Sequence, residues 1–159
     1  MSQTGDSKEN PSQPMATPYE QDVVAWAREQ AALLRAGKLT AIDIEHVAEE
    51  IEDVGRSEQR ELANRMSVLL ANLLKWTYQH ARRSKSWSHT IGTQRKEVAY
   101  VLNEAPSLRG KFDDAAWIDV VWSRARNLAE SETGLDIDAF PETCPWPMAQ
   151  VLDPEFYPD

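Results

Sequence analysis

Residues 43–80 carry one helical apolar period almost without interruption, so the core of this chain has to be built around a long helix. Leu62, Met66, Leu69, Leu73, Trp76 and His80 recur at alternating steps of four and three. That spacing lines one side of an α-helix and is the seam of a helix bundle. Leu70 and Leu74 widen the seam, which predicts the central, most buried helix. Val47, Ile51 and Val54 extend it upstream. Gly55-Arg56-Ser57 is its weak point, and a kink or break is expected there.

Shorter helical patterns flank this run. Thr17-Pro18-Tyr19-Glu20 reads as a capping box with proline at the first helical position. Val23, Trp26, Ala27, Gln30, Leu33 and Leu34 then share a stripe, and Gly37 supplies a left-handed stop. A second start at Thr40-Ala41-Ile42-Asp43 turns the chain back at once, which favours antiparallel neighbours. Ser84 or Ser86 can cap a third helix with Trp87, Ile91, Val98 and Leu102 on one face, ending before Pro106. Ser107-Leu108-Arg109-Gly110 is a turn, and a fourth helix follows over 113–131. Its expected buried side is Ala116, Trp117, Val120, Val121, Ala125 and Leu128, with Gly134 after its end.

Beyond Leu135 prolines crowd FPETCPWPMAQVLDPEFYP, so helix cannot persist and an extended strap is expected, pinned by Phe140, Trp146, Leu152 and Phe156. No alternating apolar–polar run predicts a strand. The fold expected is all-α, an antiparallel bundle of about four main helices with an extended Pro-rich C-terminal strap. The 159 residues suit one core, placed at 18–159, behind a polar tail over 1–17 expected to be disordered. The one cysteine, Cys144, has no partner for a bridge, and no apolar run approaches the roughly 20 residues of a membrane span. With no signal-peptide pattern at the start, a cytoplasmic protein without membrane contact is expected.

Charge is divided sharply along the chain. The total is −9, yet residues 62–96 hold seven bases (Arg65, Lys75, Arg82, Arg83, Lys85, Arg95, Lys96) and no acid. Residues 20–61 sum to −6 and residues 97–159 to −9. The acidic total repels polyanions at long range and argues against nucleic acid as a partner.

Two clusters could carry chemistry. His46, Glu49, Glu50, Glu52 and Asp53 lie at one-turn spacings on a helix, and Glu49, Glu50 and Asp53 could hold a divalent metal for phosphohydrolysis. Such a site needs a second carboxylate pair from a neighbouring helix, and no such motif is present, so a solvated or ion-paired face is the better reading. No nucleophile elbow, phosphate loop or dinucleotide fingerprint occurs, and His89 reads as a surface histidine. Arg82, Arg83, Ser84, Lys85 and Ser86 surround the start of the third helix, where free N–H groups and the dipole favour an anion. Arg95 shares a side with Trp87 and Ile91, so it points inward and requires an acceptor. Glu49, Glu50 and Asp53 are the candidates for that buried pair. The acidic and basic segments are thus either each other's counter-ions, within a chain or across a homodimer, or the bases face a partner.

The blocks YEQDVVAWAREQAALLRAG, EEIEDVGRSE, LLANLLKW, RRSKSWSHTIGTQR, PSL, ETGL and FPETCPW…VLDPEFYP together resemble the bacterial domain-of-unknown-function family 29 over residues 19–158. The resemblance implies a helical fold and no established activity. Asn72 and His80 stand where the family pattern has His and Pro. The expectation is a small non-catalytic interaction or regulatory module, without cofactor. It would recognise a small anion or an acidic protein at Arg82, Arg83, Ser84, Lys85 and Ser86.

Overall fold

The computed structural model describes residues 16–159. Most of the expected tail therefore lies outside the described residues. Thr17, at its end, is held in place: its N–H and hydroxyl donate to the Glu29 carboxylate at 2.8 and 2.7 Å. The fold is all-α. The helices are α1 (Val23–Arg35), α2 (Ile44–Tyr78), α3 (Lys85–Glu104), α4 (Ala115–Thr133) and the single turn α5 (Met148–Val151). Among the described residues there is no strand, and no helix is long and apolar enough to cross a membrane.

The chain groups into two compact units, one reaching to Asp53 and the other Val54–Asp159. The described part of the first buries only Trp26 and Gln30. Asp22, and not Thr17, caps α1, because its carboxylate accepts from the N–H groups of Val24 and Ala25 at 3.0 Å. Residues 19–21 form a turn, which frees Tyr19 and Glu20 to reach other partners. Of the apolar stripe expected on α1 only Trp26 is buried, beside the polar Gln30. Gly37 takes the left-handed conformation, with φ 69°.

The second unit contains the core. Leu62, Met66, Leu69, Leu70, Leu73 and Leu74 of α2 are fully buried against Ile91, Val98 and Leu102 of α3. From α4 come Val121, Trp122, Ala125 and Ala129. The buried side of α4 is thus rotated from the one expected: Ala116, Val120 and Leu128 are exposed. The strap decides this, since Trp122 donates to the Pro141 carbonyl at 2.9 Å and meets Trp146 edge to face. α2 passes through Gly55 unbroken. A lone glycine costs a helix only about 1 kcal/mol relative to alanine, and a 35-residue helix absorbs that. Gly134 closes α4 at φ 73°. The strap is pinned by Phe140, Val151 and Pro158, with short helical turns at Ile137–Ala139 and α5.

Candidate functional site

The junction between α2 and α3 sorts its basic residues into two groups. Gln79 to Arg83 turn the chain, and Ser84 caps α3 by accepting from the Trp87 N–H at 3.1 Å. Helix geometry leaves the N–H groups of Lys85 and Ser86 without intrahelical acceptors. The first group of bases faces inward. Arg83 lies over the Trp76 ring at 5.0 Å, and its guanidinium donates to the carbonyls of Trp76 (2.9 Å) and Pro158 (3.3 Å). Arg95 is only 4 % exposed. It donates to the carbonyls of Val151 (2.9 Å), Pro154 (3.3 Å) and Phe156, and it faces the Tyr157 ring at 5.2 Å. Burial lowers its pKa, while the facing Tyr157 and Asp153 oppose that shift. Tyr157 itself packs on Trp76 and donates to the Ser88 carbonyl.

Arg95 therefore has no buried ion pair with Glu49 or Glu50, contrary to expectation. The proline-broken strap cannot satisfy its own carbonyls by helix formation, and a planar guanidinium with five donors satisfies three of them at once. Two other bases of the segment find carboxylate partners within the second unit. Arg65 bridges Glu61 and Glu97, both at 2.6 Å, and Lys75 meets Glu132 at 2.6 Å.

The second group faces outward. Arg82, Ser84 and Ser86 line a groove of about 430 Å³ with Asn72, Lys75, Gln79, Trp87, Thr90 and Glu132. Arg82 is exposed and its side chain has no hydrogen-bond or ion partner among the described residues. Lys75 stands 5.7 Å from the Trp87 ring centre, and Trp87 donates to Asn72, which in turn donates to Gln94. Of the five residues expected at this junction, Arg82, Ser84 and Ser86 come together. Arg83 belongs to the strap clamp, and the exposed Lys85 does not line the groove. Lys75 and Glu132 were missed. Lys75 lies on the last turn of α2, near enough to Arg82 to have been a candidate, whereas Glu132 is 57 residues from Lys75 and left no sequence signal.

The acidic cluster sits in the first unit and is built around His46. Its Nδ1 meets Asp43 at 2.6 Å, its Nε2 meets Glu20 at 3.2 Å, and its ring stacks on Tyr19 at 4.2 Å. Trp26 donates to the same Asp43 carboxylate at 3.0 Å, and the Asp43 N–H donates to Gln30. Bonding to Asp43 raises the His46 pKa, and the same bond lowers that of Asp43. The Tyr19 hydroxyl donates to Glu50, and this bond pushes the Tyr19 pKa up to about 12. Glu50 is thus engaged by a tyrosine. Among the described residues no group of three or more His, Cys, Asp or Glu is placed to hold a metal ion.

Cys144 is half-buried, its thiol donating to the Trp146 carbonyl and its pKa raised by burial, as suits an inert thiol. No curated protein and no solved structure matches the chain. The helical fold, the basic junction and the Pro-rich strap fall within one stretch, residues 18–157, that matches a family model, and the chain belongs to that family, described as Domain of unknown function DUF29.

Proposed function

We propose that the protein is a non-catalytic binding module that holds the phosphate of a short phosphorylated ligand in the groove between α2 and α3. The observation that carries this reading is the exposed Arg82 guanidinium, without a partner among the described residues, in a groove with Lys75, Ser86, Thr90 and the start of α3. A guanidinium, an ammonium, hydroxyls and helix N–H groups are the donors a phosphate takes up. The volume suits one phosphorylated side chain and its neighbours. The net charge of −9 opposes an extended polyanion, which leaves short ligands as the favoured class.

Calorimetric titration with a phosphoserine peptide tests it. Binding is expected to weaken with salt, and to fall by about tenfold or more with Arg82→Ala plus Lys75→Ala while the circular dichroism stays unchanged. Neither the phosphopeptide nor inorganic phosphate binding at millimolar concentration would sink the reading.

A further inference from the structure

We propose that the start of α2 docks a basic amphipathic helix of another protein. Ile44, Val47, Ala48 and Ile51 stand at i, i+3, i+4 and i+7, the spacing of one continuous helix face. On α3, on α4 and on α2 from Leu62 onward such a face is covered. Here Ile44 is 70 % and Ile51 68 % exposed, Ala48 is exposed, and Val47 is half-buried.

The rest of the first unit explains why the face is bare. α2 meets α1 and the preceding turn through polar groups: Asp43 receives Trp26, His46 stacks on Tyr19, and Glu50 receives the Tyr19 hydroxyl. Those contacts occupy a neighbouring side of the helix and leave the aliphatic side chains unused. In the described part of this unit Trp26 is the only large apolar side chain that is buried, and Val23, Val24, Leu34 and Leu39 are exposed with the isoleucines. Contiguous bare aliphatic surface of this kind marks an interaction site.

Charge selects the occupant. Residues 44–53 contain five carboxylates (Glu45, Glu49, Glu50, Glu52, Asp53) and no Lys or Arg. A second copy laid on this face would bring carboxylates against carboxylates. A helix with an aliphatic stripe flanked by Lys and Arg covers the apolar face and brings positive charge to an acidic segment, with Glu45 bordering the face beside Ile44 and Ala48. Four side chains are few beside the roughly 20–30 residues a side of a standard stable interface, so the association is weak and salt-sensitive. No residue of this face lines the anion groove, and either proposal can fail without the other.

The test is fluorescence anisotropy with the full chain and a labelled synthetic helix of leucine–lysine heptads, with a leucine–glutamate version as control. The lysine peptide is expected to bind and the glutamate peptide to be refused. Ile44→Ser with Ile51→Ser, which leaves charge unchanged, is expected to weaken binding by about tenfold or more. Circular dichroism checks that the helices persist. Should that variant lose structure, Glu45→Lys with Glu49→Lys is expected to reverse the preference toward the glutamate peptide. Equal binding to the wild type and the serine variant, or no binding at all, overturns the proposal. So does a dimer of the protein alone, seen by sedimentation velocity, that the serine pair dissociates, since the occupant is then a second copy.

Discussion

At the scale of single residues, two arginines of the RRSKSWSHTIGTQR block act as fasteners for the C-terminal strap. Arg95→Ala removes three hydrogen bonds from a charged donor and leaves buried carbonyls unpaired. A loss of about 4 kcal/mol in urea unfolding is expected, against about 2 kcal/mol for Arg95→Lys, which keeps the charge but not the planar fork. Arg82→Ala, in contrast, should change stability by no more than about 0.5 kcal/mol. Comparable losses from Arg82→Ala and Arg95→Ala would show that both bases are structural. Glu132 holds Lys75 at 2.6 Å and so places a carboxylate where an anionic ligand would compete for it. Glu132→Gln is expected to raise phosphopeptide affinity about three- to tenfold, and an unchanged affinity would separate Lys75 from the binding site.

At the scale of elements, the first unit depends on protonation. His46 gains stability from Asp43 and Glu20, with Glu49 adding to the field, so its folded pKa lies above the ordinary 6.5. Its contribution is fully present below that unfolded value and is lost as pH rises through the folded pKa. Asp43 has the opposite sense, contributing above the ordinary carboxylate range and losing its contribution as pH falls through its depressed pKa. Hydrogen exchange of α1 amides should therefore quicken on the alkaline side of the His46 titration, and His46→Ala should abolish that step. α2 offers a separate test. Gly55 lies in the helix interior, exposed, and a methyl group added to its Cα would meet nothing within 4 Å. Gly55→Ala is expected to stabilise by about 0.5–1 kcal/mol in thermal unfolding. A destabilisation would mean that the glycine serves an approach by another chain.

At the scale of the whole molecule, burial is unequal: the second unit holds the contiguous core, and the described part of the first buries Trp26 and Gln30. Exchange mass spectrometry should find α1 opening well before α3 and α4. The contrast also explains what was legible in advance. The long helix, the Ser84 cap, the Gly134 stop, the inward Arg95 and the leucine seam of α2 follow from spacing and backbone chemistry, which are local properties. The sequence by itself therefore determined the helices, their order and the basic junction. Three matters waited for the tertiary structure. Arg95 turned from the carboxylates to the strap, α4 rolled toward Trp122, and Lys75 and Glu132 joined Arg82 in one groove. Each depends on which distant backbone or side chain lies opposite, and helical periodicity fixes only which side of a helix a residue occupies, not what will face it.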